Sequence, residues 1–355
     1  MVYSGTLVTF WRVYRHSDHW LSSNAMQKLI RNEKLHSQTV QGIVQTFYEA
    51  LKSWSVIRKT DPNAKPPRRL SKYHPMPFKS SAIKLNDGTL TLSTGRGNEP
   101  IRIPWKFELP RVCEITFNGE EYVLNAVYEA ELPAEINGKG HAGVEFGDVH
   151  MAAVYTGQKT NIANGRELRS KSHYRDHVKA HFMSEMSKCK KDSRKWNRMN
   201  RARKRTMRKL NHQVKDIMHK QTNAIVCVMK NEGTQTVGIG NVRNTGKDIG
   251  YRSPIGTVRK MIAYKSERMG MTVKYIIDEH SGRVCPYCGQ QNNKNHRIFK
   301  CGKCGFERDK DCVSAINIRS LAEYREYVPV IGDMTPPVGI RYYADSLRTS
   351  AAKPA

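Results

Sequence analysis

Apolar and polar positions follow two rhythms along the N-terminal third of the chain. Val40, Ile43, Val44, Phe47, Leu51 and Trp54 recur at helical spacing, opened by Ser37-Gln38-Thr39. A shorter helix is expected after the Ser22-Ser23-Asn24 cap, carrying Met26, Leu29 and Ile30. Residues 6–15, T-L-V-T-F-W-R-V-Y-R, are rich in β-branched and aromatic side chains and predict a strand. From Ala82 the period changes to two. Ala82–Leu85 and Thr89–Ser93 flank an Asn86-Asp87-Gly88 turn, which signals a hairpin. Ile101–Trp105, Val112–Phe117 and Tyr122–Tyr128 continue the alternation. The expectation is one antiparallel β barrel or sheet, built from 1–17 and 76–138 and interrupted by a helical insertion over 18–75.

Past a Gly-rich boundary at 136–140 the pattern becomes α/β. Ala142–Val154 reads as an apolar strand region with Glu145 near its start, and Thr236–Val242 and Val273–Ile277 read as strands. Helical segments close at 224–229 and run over 255–269, and a helix follows Ile318 to about Tyr327. The tail, 329–355, reads as loosely ordered.

Charge changes the picture. The 355 residues hold 60 Lys+Arg against 32 Asp+Glu, a formal net charge of +28. A surplus of that size favours a polyanionic partner, with nucleic acid first. It concentrates in 166–220, a stretch without glycine or proline that predicts long helices. Arg194, Lys195, Arg198, Arg201, Arg203, Lys204, Arg205, Arg208, Lys209 and Lys220, with Trp196 among them, are the candidate nucleic-acid contacts. A merely solvated helix would mix signs, whereas acids are few here, so phosphate-backbone binding is the better reading. No run of ~18 apolar residues spans a membrane, and no signal pattern opens the chain, which points to the cytoplasm.

Cys285, Cys288, Cys301 and Cys304 form two Cys-x-x-Cys pairs, each followed by glycine. That is the knuckle spacing of a zinc ribbon, and four thiolates suit a closed, structural Zn²⁺ rather than a catalytic one. The remaining cysteines are expected to be reduced. An acidic cluster, Asp309 and Asp311, follows the ribbon directly. Glu145, Asp278 with Glu279, and Asp311 all fall at strand ends or a helix start. Carboxylates converging in an α/β fold can hold Mg²⁺ for phosphodiester cleavage, as in ribonuclease H-like nucleases.

In order, Gly143-Val-Glu-Phe-Gly147, Gly165-Arg-Glu-Leu-Arg169, His219-Lys-Gln-Thr222, Val237-Gly-Ile-Gly-Asn-Val-Arg243, the four cysteines and Asp311-Cys-Val-Ser-Ala-Ile-Asn-Ile318 resemble the TnpB family, RNA-guided nucleases of insertion sequences and ancestors of type V CRISPR effectors. Leu35–Thr39 and the Arg96-Gly-Asn-Glu-Pro-Ile segment resemble that family's oligonucleotide-binding parts. The resemblance implies a wedge-type β barrel with a helical recognition insertion and a RuvC-like domain over 139–279 and 306–328. It further implies a zinc ribbon at 280–305 and a flexible tail from 329. It also implies a guide RNA, a duplex DNA target beside a short adjacent motif, and a single copy of the protein on its guide near the bacterial nucleoid.

The chain departs from the family at two of three catalytic positions. Glu145 stands where the family has Asp, and Gly240 where most members have Glu. In one branch that glutamate sits just before the ribbon, which falls here on Asp278, with Glu279 adjacent. About 1 Å of misplacement can cost ~10²-fold in rate. The first expectation is therefore a nuclease-deficient, guide-directed DNA binder acting as a transcriptional repressor. The alternative is an active RNA-guided endonuclease using Glu145, Asp278 or Glu279, and Asp311 with Mg²⁺. A plain zinc-ribbon DNA-binding factor is a third reading.

Overall fold

Helical periodicity reaches further toward the N-terminus than the residue types suggest. The computed structural model describes residues 2–330 apart from 70–72, 120, 132, 135, 137, 148, 241–253, 278–279 and 293–296, together with the backbone of 338–340. Its contacts divide the chain into two units, Met1–Glu131 and Leu132–Ala355.

In the first unit, α1 (Val2–Ser17) is a helix, not the strand expected at 6–15. Val2, Thr6 and Phe10 recur every four residues and are buried together with Tyr3. Packing of that face overrides the β propensity of its side chains. Phe10 meets Phe47 edge-on, with ring centroids 5.4 Å apart. The N-terminal segment therefore adds no strand to the β module. α2 (Ser23–Leu29) starts at Ser22, whose hydroxyl accepts from the Ala25 amide. α3 (Ser37–Thr60) buries Val40, Ile43, Val44, Phe47 and Leu51, the apolar stripe read from sequence.

Six strands follow: β1 (Met76–Phe78), β2 (Ile83–Asn86), β3 (Thr89–Leu92), β4 (Ile101–Pro104), β5 (Val112–Phe117) and β6 (Tyr122–Val127). They make two three-stranded antiparallel sheets, ordered β1-β5-β6 and β2-β3-β4. Among the described residues no ladder closes the two into a barrel. Phe78, Ile83, Leu90, Leu92 and Cys113 form their shared core. The β2–β3 turn sets φ to +46° at Asp87 and +69° at Gly88, the left-handed pair that tight hairpins require.

The second unit is built on a six-stranded sheet. The segment expected as one strand region at 142–154 is in fact a hairpin, β7 (Gly140–Glu145) and β8 (His150–Tyr155), its apolar run broken in sequence by Gly147-Asp148. β9 (Thr160–Asn164), α4 (Arg166–Ser187), α5 (Arg194–Asn231), β10 (Thr234–Ile239), α6 (Ile255–Arg268), β11 (Thr272–Tyr275), β12 (Ile298–Lys300), β13 (Glu307–Asp309), α7 (Lys310–Tyr324) and β14 (Val338–Ile340) complete the order. The sheet runs β11-β10-β7-β8-β9-β14. β7, β8 and β9 are antiparallel neighbours, whereas β10 pairs parallel with both β7 and β11. β14 is parallel to β9, so part of the tail expected to be loose is a strand.

Strand alternation then sorts the side chains. Ala142, Val144, Val237 and Ile239 join a core with Val214, Ile225 and Met229 of α5 and Val258 and Ile262 of α6. The opposite face, with Ala153 and Tyr155, packs on Ala315 and Ile316 of α7. Gly143 lies on that second face. A Cβ there would collide with the Ala315 carbonyl and the Arg319 amide, so its bare backbone lets α7 lie close on β7.

Candidate metal and nucleic-acid sites

The hairpin β12–β13 carries one cluster of ligand-type side chains at each end. At its turn end are the four cysteines. Cys285 and Cys301 each lead into a knuckle: the Gly289 amide donates to the Cys285 carbonyl at 2.9 Å, and the Gly305 amide to Cys301 at 3.1 Å. Gly289 (φ +72°) and Gly305 (φ +73°) take the left-handed conformation that closes each turn. The two pairs interleave: Sγ of Cys285 lies 3.7 Å from that of Cys304, and Cys288 3.6 Å from Cys301. All four sulfurs fall within 4.8 Å of one another.

Burial pushes the Cys285 thiol up to about 12. Burial also opposes ionisation of Cys301, but the amides of Cys304 and Lys303 aim at its sulfur and bring it to about 6. Soft, four-fold thiolate coordination suits Zn²⁺, and the ion would offset the cost of burying thiolates. The base of the ribbon is tied to α7 by Asn317. This side chain is 1 % exposed and donates to the carbonyls of Ser281 (2.6 Å) and Val284 (2.8 Å).

At the open end of the hairpin, Asp309 caps α7 by accepting from the Asp311 amide. The capping turn aims Asp311 back toward β8, where His150 Nδ1 stands 3.0 Å from Asp311 Oδ2 and 3.6 Å from Asp309 Oδ1. Ligand atoms of His150, Asp309 and Asp311 all lie within 4.8 Å of one another. Hydrogen bonds to Asp309 and Asp311 push His150 up to about 9. Burial works against Asp309, yet His150 and the Asp311 amide hold its carboxyl below the usual range. Arg297, just before β12, places its guanidinium 3.5 Å from Asp309 and 3.8 Å from Asp311. The guanidinium also lies 3.2 Å from His150 Nδ1. Because that nitrogen faces a carboxylate at 3.0 Å it carries the proton, so its contact with Arg297 is packing rather than a hydrogen bond.

The expected acids are not all gathered. Glu145 ends β7 and belongs to neither ligand cluster among the described residues. It shares the α7 face with Gly240: a Cβ on Gly240 would lie 3.0 Å from Glu145 Oε2 and 2.7 Å from Ile318 Cδ1. The carboxylate of Glu145 thus fills space that a side chain at 240 would enter. Asp278 and Glu279 lie outside the described residues. Sequence reasoning misses His150, since it is 161 residues from Asp311 and no local motif announces it.

The basic stretch splits at Lys188–Ser193 into α4 and α5, and Ser193 caps the second helix by accepting from the Trp196 amide. α5 has 38 residues, a length of ~57 Å at 1.5 Å per residue. It buries nothing before Leu210; its core contacts are Leu210, Val214, Ile217, Met218 and beyond. Residues 194–209 hold nine Lys/Arg and no acid. Arg194, Lys195, Arg198, Arg201, Lys204, Arg205 and Lys209 are exposed, whereas Trp196, Arg203 and Arg208 are half-buried. Lys220 is drawn into an ion pair with Asp216 at 2.8 Å, which removes it from the free basic face.

Comparison with known proteins aligns with this geometry. Residues 125–245 match the OrfB IS605 model, described as a probable transposase, and residues 256–318 match the Cas12f1-like TNB domain. The chain is 31 % identical over 107 residues to the CRISPR-associated endodeoxyribonuclease Cas12f1 of Sulfoacidibacillus thermotolerans, covering 28 % of this chain and 25 % of that protein. It is 33 % identical over 58 residues to a TnpB-like protein of Methanocaldococcus jannaschii, covering 16 % of this chain and 21 % of that one. The matched segments therefore span about a quarter of these relatives. A Cas12f1 chain solved with its guide RNA and target DNA shares the fold at a TM-score of 0.61 and 11 % identity, over 90 % of this chain and 80 % of that one. Two adjoining family models over 125–245 and 256–318, two partial relatives and a shared fold together support a TnpB family protein.

Proposed function

We propose that this protein is directed to double-stranded DNA by a guide RNA and occupies its target without cutting it, so that binding at a promoter represses transcription. The sheet order, three antiparallel strands followed by the parallel pair β10 and β11, supports a ribonuclease H-like domain of RuvC type. The exposed basic half of α5 offers a track for phosphates. The similarity to a Cas12f1 protein seen with guide RNA and target DNA supports both partners. In such effectors base pairing reads sequence, while the protein reads duplex shape and a short adjacent motif.

One observation carries the reading against cleavage. Asp311, the acid that follows the family pattern, is engaged by His150 and Arg297, while Glu145 lies outside its cluster. Phosphodiester cleavage needs convergent carboxylates around Mg²⁺, and the described residues do not build that set.

The test is to purify the protein with its RNA, sequence that RNA, and incubate the complex with Mg²⁺ and a plasmid carrying the matching target. The expected result is a discrete co-purifying RNA, tight target binding and an uncut plasmid. Clean double-strand cuts would replace this reading with an active RNA-guided endonuclease using Glu145, Asp278 or Glu279, and Asp311. Absence of a defined RNA would overturn guidance itself.

A further inference from the structure

The solvent side of α4 carries a histidine at every fourth position. His173, His177 and His181 are three of the chain's 13 histidines, and Glu185 continues the spacing. Residues four apart stand about 40° apart around a helix of 3.6 residues per turn, so the three imidazoles share one face. All three histidines are exposed. The residues that α4 buries, Leu168, Ser172 and Met186, fall on the opposite side. By the same spacing Lys171, Arg175 and Lys179 lie outside the stripe. The acids beside it already have counter-charges: Asp176 pairs with Arg175 at 2.8 Å, and Glu185 with Lys188 at 2.6 Å. The ligand atoms that the stripe presents are therefore imidazole nitrogens.

We propose that this stripe is a surface site for one transition cation of the Zn²⁺ class, centred on His177, with His173 or His181 as its second ligand. Imidazole donors suit Zn²⁺ and its neighbours, whereas Mg²⁺ and Ca²⁺ prefer oxygen. Cβ atoms four residues apart on a helix are ~5–6 Å apart. Two imidazoles at that spacing can meet one ion at Zn–N distances of ~2.0–2.1 Å. The same spacing holds zinc in an H-E-x-x-H helix. Tyr174 and Val178 stand where that motif has its glutamate, so no general base accompanies the ion here and the site binds without hydrolysing. His173 and His181 are separated by ~12 Å along the helix axis, too far to share an ion. Since His177 belongs to both pairs, three imidazoles make one site. Two protein ligands leave the other positions to water, so the ion is held more weakly than in the closed cysteine quartet. A bound ion would staple successive turns of α4. The site shares no residue with the quartet or the acidic cluster and does not depend on the guide-directed reading.

The experiment dialyses full-length protein, its ribbon already loaded with zinc, against a series of micromolar free Zn²⁺ concentrations and counts zinc per chain by mass spectrometry. One further ion per chain is expected above the ribbon's own. His177→Gln should weaken its binding by roughly tenfold or more, since even outer-shell losses cost about that. His173→Gln or His181→Gln alone should weaken it only roughly twofold, by removing one of two equivalent arrangements. The two together should match His177→Gln. These positions are exposed, so the melts of all variants should coincide before zinc is added. Added Zn²⁺ should then raise the melting temperature of the unaltered chain and not that of His177→Gln. Retention of the ribbon's zinc in every variant separates lost ligation from lost folding. No further ion, equal losses from the three single substitutions, or a further ion kept by His177→Gln would each overturn the site.

Discussion

The two ends of the β12–β13 hairpin, three residues per strand, hold donor clusters of opposite kinds. The cysteine end is assembled from short-range turns, Cys285 to Cys288 and Cys301 to Cys304, closed by local amide–carbonyl bonds. The acidic end is assembled from β8, the residue before β12, the end of β13 and the start of α7. Soft thiolates at one end need a cation to be ionised together. At the other end His150 and Arg297 already supply counter-charge. A cluster that is locally framed but electrostatically incomplete depends on its ion. One that is framed by the tertiary fold and already neutralised does not.

That contrast can be broken most forcefully at the cysteines. Replacing Cys301 and Cys304 with Ser should abolish zinc retention and unfold the ribbon, since structural zinc in comparable small modules contributes on the order of 10 kcal/mol. Zinc content by mass spectrometry and the loss of the ribbon's share of the melting transition read this out. Normal zinc stoichiometry in that variant would show that the quartet is not the zinc site.

Gly240 sharpens the contrast from inside the sheet. Gly240→Ala should cost about 1–3 kcal/mol of stability by overpacking, because its Cβ would meet Ile318 Cδ1 at 2.7 Å and Glu145 Oε2 at 3.0 Å. Adding Ile318→Val removes the offending methyl, so chemical denaturation of the double variant should recover at least ~0.5 kcal/mol relative to the sum of the singles. Strict additivity would mean that position 240 is open.

The smallest stability effect is expected on α5. Arg198, Arg201 and Lys204 changed to Ala together should alter unfolding free energy by about 0.5 kcal/mol or less, as exposed positions do. The same variant should lower the dependence of nucleic-acid affinity on salt by roughly one slope unit per lost phosphate contact. An unchanged salt slope would remove this face from the interface.

Periodicity is a good guide wherever a residue's neighbours along the chain also surround it in space. The α3 stripe, the Asp87-Gly88 hairpin and the Cys-x-x-Cys knuckles are legible for that reason. It fails at α1, where β-branched and aromatic residues repeat every four positions: composition suggests a strand, and the face packed against α3 makes a helix. It fails again at 142–154, where an apolar run hides the β7–β8 turn. Among the site residues, Asp311 and the cysteines are visible. His150 and Arg297 are not, because their partners lie far away in sequence or across the hairpin.

By itself, then, the sequence determined the ligand chemistry and the charge: four thiolates at knuckle spacing, a basic run without compensating acids, and acids at element ends. Only the tertiary structure decided which of those acids meet. β7 and β10 are parallel neighbours, so strand parity sends Glu145 toward Gly240 and the α7 face. The Asp309 cap sets the direction of the first turn of α7, and the register of β8 brings His150, not Glu145, into ligand distance of Asp311. Side-chain identity is a local property of the chain, whereas convergence across the 161 residues between His150 and Asp311 depends on sheet order and helix docking.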